Sequence, residues 1–557
     1  MGLQALCPRG LLGFVLFGLL ASTALCEDLE TAPKFNDVYT AKGTLYIPYA
    51  EIREPFYAWY DERGRNSRID YYGGMVKTYQ LGKQTKYGSS IKIAPVTTET
   101  QLNEDTCLQV NGTDDTMIEP QSIVPDLTGF KYIGSDMMSG QTCEKWRLVD
   151  TKGEKVNKYT IWVRYKKGPG GKKYLIPVRY EMKGFNSLLG SHYDHYFLEY
   201  DWYSVEPIDS NVFEVPSDLK CESFPGPGSD HVVTFNPMQE FVHRDDRHVV
   251  AAFDEYLRTH KKQYSRYSEH SKRHGIFLQN LRFIHSSNRA NKGYQLAVNH
   301  LADRTELELK ALRGKQRSTT TYNGGLPFPY DSTKMVKDVP AEYDWRLYGA
   351  VTPVKDQSVC GSCWSFGTTG AIEGAYFVKY GKLLRLSQQA LIDCSWGYGN
   401  NGCDGGEDFR SYQWMMKHGG LPTEDAYGPY YGQDGYCHLD NVTLSAPIKG
   451  YVNVTSGDAN ALKVAVVKHG PISVAIDASH RTFSFYANGV YYDPKCGNTT
   501  ETLDHAVLVV GYGNLYGKPY WLVKNSWSNY WGNDGYVLMS QENNNCGVTL
   551  DPTYVLM

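Results

Sequence analysis

Alternating hydrophobic and polar residues mark the first part of the chain. In 158–165 every second residue is Tyr, Ile or Val, and the residues between them are Lys, Thr, Trp and Arg. This period of two predicts a β-strand. Similar runs, separated by Gly, Asn or Asp, occur at 38–46, 56–61, 68–72, 173–182 and 193–203. The pattern predicts an antiparallel, aromatic-rich β domain over residues 27–225, which ends at the Pro- and Gly-rich run 224–228.

The next segment has a helical period. Six residues recur at steps of four, four, three, four and four, which stacks them along one face of an α-helix. They are Glu269, Arg273, Phe277, Asn280, Ile284 and Asn288. Downstream, residues 297–303 read Ala-Val-Asn-His-Leu-Ala-Asp. We predict a linker and a helical segment over 226–336, followed by one enzyme-sized domain over 337–557.

The N-terminus carries a short apolar run, 11–21, behind Arg9 and ahead of small residues that end before Glu27. About eleven apolar residues are too few to span a bilayer. We therefore predict a cleaved signal peptide at 1–26, entry into the secretory pathway and no transmembrane segment. The sequence leaves open whether the destination is the lysosome, a secretory granule or the extracellular space. Four Asn-x-Ser/Thr triplets are candidate glycosylation sites, at Asn111, Asn441, Asn453 and Asn498.

Composition narrows the class of protein. Hydrophobic residues at 41% and charged residues at 21% are ordinary values for globular domains. They exclude a disordered chain and a multi-span membrane protein. The 57 Lys and Arg against 61 Asp and Glu give a net charge of -4. Because contact with phosphates needs a basic excess, we predict no nucleic-acid partner.

The strongest chemical signal is the run 357–366, which reads Gln-Ser-Val-Cys-Gly-Ser-Cys-Trp-Ser-Phe. A cysteine attacks as the thiolate, and a free thiol with a pKa near ~8.5 holds little of that form at neutral pH. Cys363 would begin a helix over the apolar run 364–378, and a helix N-terminus favours the anion. A nearby imidazolium would complete the pair. The run therefore predicts a nucleophilic cysteine.

The cysteine count supports a free thiol in the last domain. After removal of Cys7 and Cys26 with the signal peptide, seven of the remaining cysteines lie in 337–557. Seven is odd, so at least one stays unpaired, and a free thiol in an oxidising compartment is a liability unless it has a task. Cys107, Cys143 and Cys221 lie in the β domain. There we expect one pair and one free or intermolecular thiol, and the sequence does not choose which.

Together these motifs resemble the papain family of cysteine peptidases, in its cathepsin L-like group with an inhibitory pro-segment. The six helical residues match the pro-segment signature of that group, and 297–303 matches a second motif, with Ala297 and Leu301 replacing its usual Gly and Phe. The run around Cys363 matches the family's nucleophile motif. The resemblance covers the chain from about Val249 onward.

The resemblance implies an α+β fold. Its parts are a two-lobed papain-like catalytic domain with a helical lobe and a β-barrel-like lobe, a helical pro-segment lying along the cleft in reverse, and the N-terminal antiparallel β domain. The long extension resembles that of the insect 26/29 kDa proteinase type, whose relatives keep it as a separate subunit.

The resemblance also assigns catalytic roles. Cys363 is the nucleophile, and His505, roughly 130 to 150 residues downstream as in this class, is its base. Asn525 orients the imidazole. The side chain of Gln357 and the backbone N–H of Cys363 form the oxyanion hole. The implied disulfides, which leave Cys363 unpaired, are Cys360–Cys403, Cys394–Cys437 and Cys496–Cys546.

Three residues depart from the family pattern. Ser358 and Val359 stand where relatives have Gly and Ser, and Ser528 stands where they have Gly. The roles of the neighbouring Gln357 and Asn525 are expected to persist. The local turn at Ser528 is left open.

Positions that match the family's substrate cleft are predicted to bind substrate. They are Gly405, Gly406, Glu407, Ala475, Leu503, Asp504, Ala506, Trp527 and Asp551. Gly405 and Gly406 would pair with extended substrate backbone. Most relatives line the pocket for the P2 side chain with apolar residues, whereas Glu407 and Asp551 are carboxylates. This departure favours acceptance of Arg or Lys at P2. The alternative is that Glu407 points to solvent.

The predicted function is a secreted or lysosomal cysteine endopeptidase made as a zymogen. It would hydrolyse polypeptides through a thioester acyl-enzyme, with its own pro-segment as inhibitor. We predict no cofactor and no metal, since Cys360 and Cys363 lack a second ligand pair or a nearby His. Two alternatives stay open. One is a binding protein that acts through the β domain, and the other is an exopeptidase whose cleft that domain blocks.

Overall fold

The computed structural model describes residues 31–557 apart from gaps at 97–102, 169–170, 225, 227–228, 318–321, 332–334, 336 and 338. The predicted signal peptide therefore lies outside the described residues. Within this part of the chain, no helix is long and apolar enough to cross a membrane. A large sheet, a group of helices and a mixed domain follow one another along the chain, which confirms the predicted α+β fold.

The N-terminal part is a 12-stranded sheet in the order β12-β6-β5-β4-β3-β2-β1-β11-β10-β9-β8-β7. The strands are β1 Val38–Ile47, β2 Ile52–Asp61, β3 Asn66–Tyr71, β4 Val76–Leu81, β5 Ser89–Val96, β6 Glu104–Asn111, β7 Lys131–Met138, β8 Gln141–Lys152, β9 Lys155–Lys167, β10 Lys173–Asn186, β11 Ser191–Ser204 and β12 Cys221–Ser223. Neighbouring strands pair antiparallel, as predicted, except for the short parallel pair β12–β6.

The alternation in the sequence predicts which residues of this sheet enter the main core. In β9, Tyr159, Ile161 and Val163 on the inner face join one continuous core with residues of neighbouring strands, while Thr160 and Trp162 on the opposite face are buried as well. That core continues into the following helices through Phe241 and Phe277. The helical segment therefore covers the inner face of the β domain.

The cysteines of the β domain form one pair. Cys107 on β6 bonds to Cys221 on β12, and this disulfide ties the C-terminal end of the domain to its sheet. Cys143 on β8 is free and buried.

The helical segment contains α1 Ser229–Phe235, α2 Met238–Val242, α3 Arg247–Thr259, α4 Tyr267–Arg289 and α5 Glu306–Lys310, with the short strands β13 Tyr294–Leu296 and β14 Leu326–Pro327. Helix α4 contains the six periodic residues. Its Asn280 donates to the carbonyl of Ala302 at 2.7 Å, and its Arg273 forms a two-pronged ion pair with Glu308 at 2.6 and 2.7 Å. Thr305 and Glu308 form a capping box that begins α5.

In the last part, one core surrounds helices and contains Trp364, Leu391 and Tyr412. The continuous core described above extends against the sheet, and a small cluster around Leu508 lies between the helix Cys363–Tyr380 and the sheet. The helices are α6 Cys363–Tyr380, α7 Gln388–Cys394, α8 Asp408–His418, α9 Glu424–Tyr427, α10 Ala459–His469 and α11 Arg481–Ser484. The strands are β15 Tyr343–Asp344, β16 Leu421–Pro422, β17 Leu444–Ser445, β18 Gly450–Asn453, β19 Ile472–Ile476, β20 Tyr486–Tyr491, β21 His505–Leu515, β22 Lys518–Lys524, β23 Tyr536–Ser540 and β24 Thr553–Leu556.

The main path of the second sheet runs β13-β20-β23-β22-β21-β19-β24-β18-β14. Its two outer strands, β13 and β14, come from the helical segment, so that segment is attached to both edges of the sheet. Three disulfides hold loops of this domain, Cys360–Cys403, Cys394–Cys437 and Cys496–Cys546. These are the pairs that the family resemblance implies.

Candidate active site

Cys363 is the first residue of α6, and its side chain is fully buried. Its Sγ accepts two backbone hydrogen bonds, from Ala506 N at 3.4 Å and from Gly314 N at 3.3 Å. The first donor lies on β21, beside His505, and the second belongs to the helical segment. The thiol therefore lies where the helical lobe, the sheet lobe and the preceding segment meet.

His505 begins β21 and is held by Asn525. Its Nε2 lies 2.8 Å from Asn525 Oδ1, which also accepts from the backbone N–H of Ser526 at 2.8 Å. Because that oxygen can only accept, the arrangement places the imidazole proton on Nε2 and leaves Nδ1 as the basic nitrogen. Nδ1 has no hydrogen-bond partner among the described residues. The buried ring of Trp527 lies 4.7 Å from the imidazole ring and shields it from water.

Gln357 is buried with its amide orientation fixed. Its Oε1 accepts from Ser526 Oγ at 2.7 Å, so its NH₂ group points the other way. That group donates to the carbonyls of Cys360 at 2.7 Å and Leu312 at 2.9 Å. A carbonyl of the pro-segment thus already occupies a donor that is suited to a developing oxyanion.

Burial favours the electrically neutral forms of Cys363 and His505. Desolvation raises the pKa of the Cys363 thiol to about 11. It also lowers the pKa of His505 to about 4, and the nearby charge of Arg313 adds to this shift. Near neutral pH the site therefore holds a thiol and an imidazole rather than a thiolate and an imidazolium.

The segment 312–316 fills the cleft over Cys363. Gly406 N donates to Gly314 O, and Gln316 N donates to Gly406 O, both at 2.9 Å. Lys315 N donates to the carbonyl of Asp504 at 3.0 Å. A Cβ on Gly314 would lie 1.7 Å from the carbonyl oxygen of Gly361, so only glycine allows this approach.

The side chain of Lys315 enters the pocket predicted to take the P2 side chain. Its Nζ lies 3.1 Å from Asp551 Oδ2 and 3.5 Å from Glu407 Oε1. Glu407 is 2% exposed and also pairs with Arg410 at 2.8 Å, so it does not point to solvent. Leu503, Glu407 and Asp551 line a cleft of about 790 Å³.

The other predicted cleft residues lie near Cys363 or the pro-segment, and Ala475 lies one strand further away, on β19. Gly405 lies against the Gly314 carbonyl, where a Cβ would meet it at 2.7 Å. The backbone of Ala506 contacts the thiol, and Asp504 also pairs with Arg313 of the pro-segment. Ala475 is buried on β19 opposite Ala506.

Two departures from the family pattern have a backbone explanation. Ser358 and Ser528 both adopt left-handed conformations, with φ of 57° and 67°. Relatives have glycine at these positions, and glycine takes this conformation without steric cost. The turn at Ser528 is therefore retained with a serine, and its backbone N–H donates to the carbonyl of Lys355 at 3.1 Å.

The cleft residues of the pro-segment were missed in the sequence. Leu312, Gly314 and Lys315 have no periodicity, and Arg-Gly-Lys-Gln at 313–316 is typical of an exposed loop. The one available signal was a glycine between two basic residues.

The asparagines of the four Asn-x-Ser/Thr triplets differ in their exposure to solvent. Asn111, Asn441 and Asn498 are exposed. Asn453 instead pairs with Asn323, its Nδ2 donating to Asn323 Oδ1 at 2.8 Å and its Oδ1 accepting at 3.0 Å. Asn453 is also only partly exposed, so its side chain is less accessible to a glycan than those of the other three asparagines.

Sequence and structure comparisons agree with this geometry. Residues 339–556 match the family described as Papain family cysteine protease, and residues 253–309 match the Cathepsin propeptide inhibitor domain. Digestive cysteine proteinase 1 of Homarus americanus is 43% identical over 310 residues, which cover 54% of this chain and 94% of that protein. A cathepsin L-like peptidase of Aedes aegypti is 45% identical, with 54% of this chain and 90% of that protein covered.

A solved structure supports the same relationship. Digestive procathepsin L 3 of the Tenebrio molitor larval midgut aligns with a TM-score of 0.51 and 38% identity, over 56% of this chain and 99% of that one. Fold and site together define a cysteine peptidase that carries its own pro-segment. The chain belongs to the papain family of cysteine proteases, with cathepsin L-like relatives and a large N-terminal β extension.

Proposed function

We propose that the chain is the zymogen of a cysteine endopeptidase whose nucleophile is Cys363. The observation that carries the proposal is the passage of the extended segment 312–316 over Cys363 Sγ. This segment continues in both directions beyond the cleft, so the cleft accommodates an internal stretch of polypeptide. An internal stretch is the substrate of an endopeptidase, which disfavours an exopeptidase.

The proposed reaction begins when the pro-segment leaves and water enters the cleft. The Cys363 proton then passes to His505 Nδ1, because solvation removes the burial penalty while the N-terminus of α6 and the mutual attraction of thiolate and imidazolium stabilise the ion pair. The thiolate attacks the peptide carbonyl carbon, while Gln357 Nε2 and the Cys363 N–H stabilise the oxyanion. His505 gives its proton to the leaving amine, and a thioester remains. Water, deprotonated by His505, then attacks the thioester and releases the acid and the free thiol.

Asn525 acts through His505 in this proposal. Its Oδ1 holds the proton of Nε2, so the basic Nδ1 stays directed to the reaction. Trp527 and Trp531 are buried beside this pair and keep water from competing for the hydrogen bond.

The P2 pocket is proposed to accept Arg or Lys. Support comes from Lys315, whose ammonium lies between Asp551 and Glu407. Glu407 is partly neutralised by Arg410, so Asp551 carries the larger share of the preference. Gly405 and Gly406 are proposed to pair with the substrate backbone, as Gly406 pairs with the pro-segment.

We place the protein in the secretory pathway, with the lysosome, a secretory granule or the extracellular space as its destination. The signal-peptide pattern at 1–26 and four disulfides support an oxidising route. The β domain is proposed to persist as a separate chain after processing, as the insect resemblance implies, and whether it stays bound to the enzyme depends on the pro-segment.

Matched cysteine variants test this function. Activated wild type, Cys363→Ala and Cys143→Ala are assayed on internally quenched peptides and on dipeptide substrates. We expect Cys363→Ala to lose at least about a thousandfold in kcat/KM on the quenched peptides, and Cys143→Ala to match the wild type. Hydrolysis of dipeptide substrates alone would establish the exopeptidase. An inactive wild type would favour the binding protein.

A further inference from the structure

Helix α4 has two buried faces, although the family signature accounts for only one. Arg273, Phe277 and Asn280 face the rest of the pro-segment. A second stripe, spaced at three, four and three residues, faces the β domain. It consists of Gln279, Arg282, Ser286 and Arg289.

Two carboxylates of the β domain bind this second stripe. The carboxylate of Glu54 on β2 accepts hydrogen bonds from Nε and Nη2 of Arg289, at 2.6 and 2.9 Å, and from the hydroxyl of Ser286 at 2.7 Å. The carboxylate of Asp194 on β11 accepts hydrogen bonds from the guanidinium of Arg282 at 2.6 Å and from the side-chain amide of Gln279 at 3.0 Å. These bidentate and multiple contacts fix both the register and the rotation of the helix.

Both carboxylates are buried, which makes the pairing specific. The side chains of Glu54 and Asp194 are 1% and 4% exposed, and that of Arg282 is 6% exposed. Arg289 has Glu54 as its ion-pair partner, whereas Arg282 also pairs with Glu240 of α2 at 2.6 Å. Loss of Glu54 therefore leaves the larger imbalance of charge. A buried ion without its partner is strongly unfavourable. The inner face of the β domain is therefore complementary to two arginines that lie two turns apart on one face of a helix.

The β domain reaches the peptidase domain mainly through α4. In the described part of the chain, the direct hydrogen bond between the two domains runs from Arg481 to the carbonyl of Tyr49, at 3.4 Å. Arg481 also donates to Asn280 of α4, at 2.9 Å. From α4, the pair Arg273–Glu308 holds α5, which immediately precedes the cleft segment 312–316.

We propose that the β domain is a binding subunit for the pro-segment, that its partner is α4, and that it keeps Cys363 covered by holding that helix. The proposal rests on the proposed function, because it assumes that 312–316 closes the site. It implies that a processed β domain stays with the enzyme only while α4 does.

The two cysteines that are free within the described residues, Cys143 and Cys363, provide the test in the full-length zymogen. At neutral pH the protein is treated with iodoacetamide, and mass spectrometry follows alkylation of Cys363 and Cys143 separately. Labelling of Cys363 reports opening of the cleft, and labelling of buried Cys143 reports unfolding of the β domain. The variants are Glu54→Gln, Asp194→Asn and the control Glu199→Gln, which lies on β11 but is half exposed and pairs with Arg179.

We expect Glu54→Gln and Asp194→Asn to label Cys363 at least tenfold faster, with Cys143 within twofold of the wild type. Glu199→Gln should match the wild type at both cysteines. The double variant Glu54→Leu/Arg289→Met removes both charges and should return Cys363 labelling to within about threefold of the wild type. An unchanged Cys363 rate, or equal acceleration at both cysteines, would overturn the proposal.

A separate measurement distinguishes failure of the proposed function. After complete activation in acid, all these variants should show the same specific activity, since none of the substituted residues lies in the cleft. Loss of that activity in the wild type as well would refute the peptidase, whatever the labelling rates.

Discussion

His300 is one of several largely buried histidines of the pro-segment that couple closure of the zymogen to pH. It lies in the run 297–303, and its ring lies near His260 and Tyr530. Burial, together with Lys262, His260 and Arg304, lowers its pKa to about 3. The pKa of His505 is lowered to about 4 by the same closure. Both groups are therefore neutral in the closed zymogen at neutral pH.

The sign of the pH effect follows from proton uptake. When the zymogen opens, the pKa of each of these histidines returns toward ~6.5. The open form therefore binds more protons than the closed form. Closure should weaken as the pH falls below ~6.5, down to about 4 for His505 and about 3 for His300. At higher pH the contribution of both groups is fully present.

We predict that His300→Gln opens with a shallower pH dependence. One fewer proton is taken up, so the rise in cleft opening between pH 6.5 and 4 should be about a hundredfold smaller than in the wild type. The measurement is Cys363 alkylation across that range. His438→Gln is the control, because His438 is exposed and stacks on Tyr427 rather than on the pro-segment. Identical profiles for His300→Gln and the wild type would contradict this account.

At the scale of elements, the cleft segment depends on one glycine. Gly314 lies so close to Gly361 that a methyl group would displace the strand. We predict that Gly314→Ala raises alkylation of Cys363 in the zymogen at neutral pH at least tenfold. Gly275→Ala on α4 has open space at its Cβ and should stay within twofold of the wild type. A closed Gly314→Ala zymogen would show that the segment is not held by this contact.

The P2 pocket gives a second prediction at this scale. Asp551→Ala should lower the ratio of kcat/KM for Arg over Leu at P2 about tenfold, equivalent to ~1.4 kcal/mol. The substrates are quenched peptides that differ only at P2. Glu501→Ala, which removes an exposed carboxylate paired with Arg317, should leave the ratio unchanged. An undiminished preference for Arg in Asp551→Ala would show that Asp551 does not determine the P2 preference.

Local patterns predicted the elements, whereas distant contacts stayed hidden. The alternation at 158–165 and the six-residue stripe of 269–288 correspond to β9 and α4 because both periods are visible within one element. The second stripe of α4 consists of Gln, Arg, Ser and Arg, which is typical of a solvent-exposed face. Its partners Glu54 and Asp194 lie 235 and 88 residues away from Arg289 and Arg282, so no local pattern reports them.

The candidate site divides in the same way. Cys363, His505 and Asn525 were found because each lies in a short motif with a chemical reason. The register of the cleft segment was not predictable, since it depends on the fit of Gly314 against Gly361 and of Lys315 between two carboxylates.

At the scale of the whole molecule, the pro-segment is enclosed by two domains. One side of α4 packs on the β domain, and β13 and β14 join the sheet of the peptidase domain. This arrangement also bears on the glycans, because Asn453 on β18 packs against Asn323 of the pro-segment.

We predict three occupied glycosylation sites rather than four. Asn111, Asn441 and Asn498 are exposed, whereas the Asn453 amide is engaged with Asn323. Peptide N-glycosidase treatment in heavy-oxygen water, followed by peptide mass spectrometry, should mark the first three and leave Asn453 unmodified. A glycan on Asn453 would mean that residue 323 does not pack as described when the protein folds in the cell.

The measurement that tests the central claim most directly is active-site titration of the activated enzyme with a peptidyl epoxide, followed by mapping of the adduct. We expect one adduct per molecule, on Cys363, and loss of hydrolysis of quenched peptides in proportion to its formation. Persistent hydrolysis with Cys363 fully modified, or loss of hydrolysis with the adduct on Cys143, would contradict the account.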